Sequence, residues 1–206
     1  MKKIRILLLG LLLLGPALPL LAVAVLANPA AKATCVTSNL VVGPIPESLK
    51  ATTSDGTTIT LDRTQLTHAA TIITVGARTP DITRDGIVIA VMAALTESRL
   101  RMLANTAAYP DSASYPHDGD GADHDSLGLF QMRPAAGWGS VGDLMDPTYQ
   151  ARAFYGGPTG PNHASPRGLL DITNWQALSL GEAAQAVEVS AYPTGTPPGS
   201  PSPTRS

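Results

Sequence analysis

Cysteine is almost missing from this 206-residue chain, which contains only Cys35. No intramolecular disulfide can form, so an apolar core must hold the fold. Acylation of Cys35 is disfavoured, because Lys32 and Thr34 stand where small apolar residues precede a lipidated cysteine. The cysteine reads as an unpaired thiol in a juxtamembrane segment. Basic residues are scarce beyond the N-terminus. Residues 1–33 hold Lys2, Lys3, Arg5 and Lys32 and no acid; without them ten basic residues face sixteen acidic ones, a formal charge of −6. That is a poor electrostatic footprint for a polyanion, and nucleic acid is excluded as a partner. No internal repeat is present.

What is present begins with an export signal. Lys2, Lys3 and Arg5 precede an apolar run from Ile6 to Ala27, and the small residues of Ala31-Lys32-Ala33 follow. The run is long for a cleaved signal and just sufficient to span a bilayer, and Pro16 and Pro19 kink such a span without forbidding it. Residues 1–33 are therefore a signal peptide or a signal anchor that forms an N-terminal hydrophobic helix. Either way, the rest of the chain faces outward, membrane-anchored or secreted. Residues 34–59, rich in Thr, Ser, Gly and Pro, read as a linker or short extended lead-in. Residues 194–206 are nearly all Pro, Gly, Ser and Thr and cannot bury apolar surface, which predicts a disordered tail.

The part between, residues 60–193, carries helical periodicity. Leu66, Ala69, Ala70, Ile73 and Val75 recur at helical spacing, with Asp62 or Thr64 as the starting cap and Gly76 and Pro80 marking the end. Thr83 caps a second helix, helped by Asp85 in its first turn. Ile87, Val88, Ile89, Val91, Met92, Leu95, Leu100 and Leu103 form its broad apolar stripe. Glu97 sits at the C-terminal end of that stripe. Partial burial and the negative end of the helix dipole both raise a carboxyl pKa there, which suits a general acid. Taken alone, the residue reads rather as the first solvated position after a core turn.

The second informative stretch is Gly128-Leu129-Phe130-Gln131-Met132-Arg133-Pro134. Glu97-Ser98 followed by this stretch resembles the lytic transglycosylase and goose-type lysozyme group of peptidoglycan hydrolases, whose signature reads E-S, a gap, then G-L-M-Q-I-M-P. Leu144-Met145-Asp146-Pro147 with Gln150 and Ala151 is similar to the family's L-x-D-P-x-x-N-I segment, and Ser190-Ala191-Tyr192 to its A-A-Y-N segment. The resemblance runs from about Thr83 to Tyr192. It implies a mainly α, lysozyme-like helical domain with long loops that cuts glycan strands at the MurNAc–GlcNAc β-1,4 bond. By the same resemblance Glu97 protonates the bridging oxygen, and Gln131, Ser126 and Tyr192 bind substrate. Pro193 replaces the family's Asn, which leaves the role of Tyr192 open. No cofactor is implied. Partners would be peptidoglycan, the membrane through the N-terminal segment, and envelope or secretion machinery. A non-catalytic glycan-binding or scaffold module is the rival class.

Between Asn105 and Asp125 lies a polar loop containing His117-Asp118-Gly119-Asp120-Gly121-Ala122-Asp123-His124-Asp125. Loops this long are often functional. Four aspartates offer hard oxygen ligands for calcium, but Ala122 and Leu129 stand where an EF-hand needs acids, and the histidine spacing fits no closed zinc site. The loop reads as a solvated acidic segment beside the active site, with no metal assigned. Asp123 or Asp125 is then a candidate second carboxylate, and anhydro-forming and hydrolytic outcomes both stay open. Leu129, Phe130 and Met132 read as core, and Trp138 as a sugar-stacking ring or a half-buried anchor. Asp146-Pro147 opens a helix that reaches Phe154 and stops at Gly156. Ser179-Leu180-Gly181-Glu182 is a capping box for a last helix through Val187.

Overall fold

The computed structural model describes residues 43–52 and 56–189. The hydrophobic N-terminal segment, the first part of the linker, Tyr192 and the C-terminal tail lie outside the described residues. Among the described residues no helix is long and apolar enough to cross a membrane. They form five α-helices and one two-stranded sheet, a helix-rich fold.

The first elements of the described chain are strands β1 (Ser48–Thr52) and β2 (Thr58–Asp62), paired antiparallel from Ser48 opposite Asp62 to Thr52 opposite Thr58. The Thr58-Ile59-Thr60-Leu61 alternation explains β2: its β-branched residues suit a pleated surface, and one face carries Ile59 and Leu61 to the core. The fold therefore extends back past residue 60, where composition alone draws the boundary.

Helix α1 (Arg63–Arg78) starts on a reciprocal cap. Asp62 accepts from the Gln65 N–H at 2.9 Å, and the Gln65 side chain accepts from the Asp62 N–H at 2.8 Å. Two otherwise unpaired amides are thereby satisfied. Helix α2 (Arg84–Ser98) starts at Thr83, whose hydroxyl accepts from the Gly86 N–H, with Asp85 in the first turn. Its inward surface is made of Gly86, Ile87, Ile89, Ala90, Ala93 and Ala94. The apolar surface runs nearly all round, as expected of a helix at the centre of a fold. The alanines carry more of the contact than the larger residues suggest, and Met92 is 38 % exposed.

The long connection after α2 contains short 3-10 turns at Pro110–Ser114 and Pro134–Ala136. Helix α3 (Val141–Leu144) is capped by Ser140, and α4 (Pro147–Tyr155) by Asp146 with Pro147 at its first position. Further 3-10 turns at Leu169–Asp171 and Trp175–Ala177 lead to α5 (Leu180–Val189). Glu182 accepts from the Ser179 N–H at 2.9 Å, completing the expected box. Helix α4 packs on α1, and both α1 and α5 pack on α2, leaving α2 in the middle.

The α1–α4 seam is tight because Gly76 faces Tyr155. The Tyr155 ring is fully buried, its hydroxyl donates to the Ile72 carbonyl at 3.0 Å, and burial pushes that phenol far above its ordinary pKa. A methyl group on Gly76 would meet the Tyr155 hydroxyl at 2.6 Å and Ile87 Cγ1 at 2.8 Å. Helix propensity favours Gly76→Ala by about 1 kcal/mol, while overpacking a seam that cannot yield costs about 1–3 kcal/mol. The steric cost is expected to win, so Gly76→Ala should lower urea-unfolding stability by about 1 kcal/mol; an increase would show that the seam is loose.

Candidate functional site

Three segments build the site: the last turn of α2, the turn from Gly128 to Gln131, and the C-terminal half of α5. The end of α2 is forced by backbone geometry. Arg99 and Leu100 both adopt the left-handed region, at φ 55° and 60°, and their N–H groups donate to the Leu95 and Ala94 carbonyls at 3.1 and 3.0 Å. The reversal buries Leu100 and leaves Glu97 half-buried at the helix end. The Gln65 amide donates to the Arg99 carbonyl at 2.7 Å, fastening this corner to the start of α1.

Ser98, beside Glu97, is the hinge pin. Its hydroxyl donates to the Leu129 carbonyl, 2.8 Å away and 31 residues on, and accepts from the Arg101 N–H at 3.1 Å. One buried side chain thus joins the E-S pair to the G-L-F-Q turn. The turn is closed by paired bonds between Leu127 and Met132, at 2.9 and 3.1 Å. Gly128 and Gln131 take positive φ, at 72° and 48°. Glycine is required at the first: a Cβ there would lie 1.8 Å from Gln150 Nε2.

Gln150 is why the turn holds that shape. Fully buried on α4, it accepts from the Phe130 N–H at 2.9 Å and donates to the Leu127 and Leu144 carbonyls at 2.9 and 2.6 Å. Phe130 stacks on Phe154 with ring centroids 4.6 Å apart. Leu129, Phe130 and Met132 are core residues, as their apolar character implies. Gln131 is part-buried; its amide donates to the Gly128 carbonyl at 2.9 Å, and its Oε1 stands 3.7 Å from where a Gly121 side chain would begin. It therefore faces the acidic loop.

Ser126 is 4 % exposed, its N–H donating to the Asp123 carbonyl at 3.0 Å and its carbonyl accepting from Asn105 at 3.3 Å. Its backbone serves to anchor the loop. Trp138 is 3 % exposed, so its ring is an anchor within the core.

The aspartates of the loop are each tied to a different partner. Asp118 accepts from the Met102 N–H at 2.8 Å and lies 2.7 Å from His68 Nε2. Asp120 accepts from the Thr106 N–H at 2.8 Å and from its hydroxyl. Asp125 pairs with Arg133 and accepts from the Tyr109 hydroxyl at 3.2 Å and the Ala135 N–H at 3.3 Å. Burial alone would raise its pKa; those bonds and the Arg133 charge outweigh it and hold the carboxyl below its ordinary value. Among the described residues no group of three or more His, Cys, Asp or Glu is arranged to hold a metal ion.

Asp123 differs from these. It is 74 % exposed, lies 2.7 Å from His124 Nδ1, and its charge acts on Glu97. Of the two candidate second carboxylates, Asp123 is electrostatically linked to Glu97, and Asp125 is committed to Arg133.

The structure adds a residue that the sequence reading did not single out. Glu188 of α5 brings its half-buried carboxyl within hydrogen-bonding reach of Glu97. Burial, first of all, raises Glu97 above its ordinary value; the bond to Glu188 draws it partly back, and the Asp123 charge adds to the rise. Burial and then the Glu97 charge push Glu188 up to about 7, while the Gln185 amide donates to its Oε2 at 3.2 Å. Carboxyls this close titrate as a unit, the last proton leaving with difficulty. The only sequence signal for Glu188 is an acid amid the apolar positions of the last helix, four residues before Tyr192. A cavity of about 330 Å³ at the α1–α4 seam, bordered by Arg78, Thr148 and Arg152, includes none of these residues.

Both members of the pair are harder to ionise folded than unfolded. The pair therefore leaves stability intact below the ordinary glutamate value of 4.5 and destabilises the fold as pH rises towards about 7. Glu188→Gln should raise the melting temperature by a few degrees at about pH 7.5, reflecting about 1 kcal/mol once solvent screening is discounted. At about pH 4 the two proteins should melt together. A variant that is less stable at both pH values would show that the ionised pair is not strained.

The chain matches no protein-family model and no curated protein, so the site stands on its own residues.

Proposed function

We propose that this protein is a lysozyme-like glycosidase that cleaves the glycan strands of peptidoglycan at the MurNAc–GlcNAc β-1,4 bond. Glu97 is the general acid. The observation that carries the reading is the Ser98 hydroxyl bonded to the Leu129 carbonyl. It couples a half-buried glutamate, whose pKa is raised, to a rigid turn bearing a glutamine. A carboxyl that holds its proton above the ordinary glutamate range is the better suited to protonate a leaving oxygen, and a side-chain amide offers both donor and acceptor to N-acetyl and hydroxyl groups.

In this reading the Glu97 O–H bond breaks and its proton goes to the bridging oxygen, which departs with the electrons of the C1–O bond. The developing cation is met by the 2-acetamido group of the sugar or by water. In the first case Glu97, now a carboxylate, takes the C6 hydroxyl proton and the product is a 1,6-anhydro sugar. In the second, the exposed Asp123 is the better-placed aspartate to orient water, since Asp125 is held by Arg133. The basic and apolar N-terminal segment fits an exported enzyme, membrane-anchored or secreted, that meets the wall and any envelope or secretion machinery working there.

The test uses the full chain and purified sacculi. Wild-type protein should release muropeptides, and Glu97→Gln should lower release at least about 100-fold while remaining folded. Mass analysis of the new ends separates anhydro from reducing products. Equal release by the variant would remove Glu97 from the mechanism. Binding of sacculi with no release by wild type would favour the glycan-binding module.

A further inference from the structure

The cavity of about 330 Å³ at the α1–α4 seam has no part in the chemistry assigned to Glu97. It borders Pro80, just before the Thr83 cap of α2, whereas Glu97 stands at the far end of that 15-residue helix. At 1.5 Å per residue the two places lie roughly 20 Å apart along the helix axis. Arg78 closes α1 and Arg152 lies in the last turn of α4, so two helix C-termini each bring a guanidinium to one hollow. The negative end of a helix dipole accounts for a cation at either terminus taken singly. It does not account for two that border the same space. Among the described residues the Arg78 guanidinium has no hydrogen-bond or ion-pair partner, and the hydrogen bond made by Arg152 goes to the Thr159 carbonyl at 3.2 Å.

The acids nearest in the chain are committed elsewhere. Asp146 accepts from the Thr148 N–H at 2.8 Å, Asp143 serves the Ser140 cap, and Asp171 accepts from the Gly157 and Gly168 N–H groups at 3.1 and 2.9 Å. Asp81, beside Pro80, pairs with neither arginine. Like charges brought together without a counter-ion repel, and an anion placed between them removes that cost. The rest of the wall defines the anion. The Thr148 and Thr159 hydroxyls have no hydrogen-bond partner among the described residues and can donate into the cavity. Val75 and Pro80 give it an apolar side. A bare inorganic anion uses the guanidiniums and leaves that side unmatched. A carboxylate carried on a short apolar group uses both, because the guanidinium forks grip its two oxygens while the apolar group lies on Val75 and Pro80. The volume is at the small end of the range for ligand sites, which suits a chain end rather than a folded partner.

We propose that this cavity binds the free C-terminal carboxylate of a short peptide that ends in small apolar residues. Arg78 and Arg152 hold the carboxylate, the two threonine hydroxyls orient it, and Val75 and Pro80 take the terminal side chain. The proposal is independent of the glycosidase reading and of Glu97.

The experiment follows the backbone amide resonances of the labelled full chain during titration with acetyl-Ala-Ala, with its C-terminal amide, and with inorganic phosphate. The free acid should move the amides of residues 75–79 and 148–159, with a Kd of about 1 mM, as expected for so small a ligand. The C-terminal amide should bind at least about tenfold more weakly, since it lacks the charge that the guanidiniums recognise. Arg78→Gln and Arg152→Gln should each weaken binding of the free acid by about tenfold. Both side chains are exposed, so folding should survive either change. Glu97→Gln should bind the free acid as wild type does. Equal binding of acid and amide by wild type overturns the proposal, whatever the variants do. Phosphate that moves the same amides as tightly as the peptide makes the hollow a plain anion site and overturns it as well. So do shifts centred on Glu97 and Gln131, or unchanged binding by both folded arginine variants.

Discussion

One buried hydroxyl sets the register of the whole centre. Ser98 ends α2 by bonding back to its own helix, accepts the next turn's Arg101 N–H, and reaches across the chain to Leu129. The Ser98 hydroxyl and its bond to Leu129 are buried, where an unpaired donor or acceptor costs about 1–3 kcal/mol. The helix end and the turn can satisfy them together in this arrangement. Gln150 does the same from the other side, meeting one N–H and two carbonyls with a single amide. Between them the two side chains hold the turn.

Electrostatics at this corner runs against stability. Two glutamates from packed helices converge, and the nearby charge of Asp123 makes ionising Glu97 harder. The rest of the acidic loop does not share in this, because Asp118, Asp120 and Asp125 are each absorbed by a local amide, hydroxyl or guanidinium. Perturbed carboxyls placed beside a rigid polar turn are the arrangement expected where proton transfer is required. A merely structural contact between α2 and α5 would be better served by apolar residues.

Much of this is legible in the chain because the signals are local. Asp62, Thr83 and Asp146 cap their helices, and Ser179 with Glu182 forms its box, since each bond spans only two or three residues. Leu129 and Phe130 are read as core because nothing in their character competes with burial. What escapes is non-local. Strand β2, Thr58–Asp62, reads as lead-in, because its partner, Ser48–Thr52, has little apolar content and lies in the same Thr- and Ser-rich stretch. Gln150 belongs to a recognisable segment, yet its bracing of a turn some 20 residues earlier follows only from the packing of α4. Ser126 looks available for a ligand but is enclosed by the loop around Asn105. Glu188 is the sharpest case. Its neighbour is 91 residues away in sequence, and no spacing rule links the ends of two helices that meet only in the fold.

The account stands on a proton that these two carboxyls keep near neutrality. The carboxyl carbon resonances of Glu97 and Glu188 in the labelled full chain, followed from about pH 3 to about pH 9, measure it directly. Two coupled steps are predicted, both groups sensing both, with the last proton leaving near pH 7. Two independent curves near the ordinary glutamate value, complete by about pH 5.5, would contradict it.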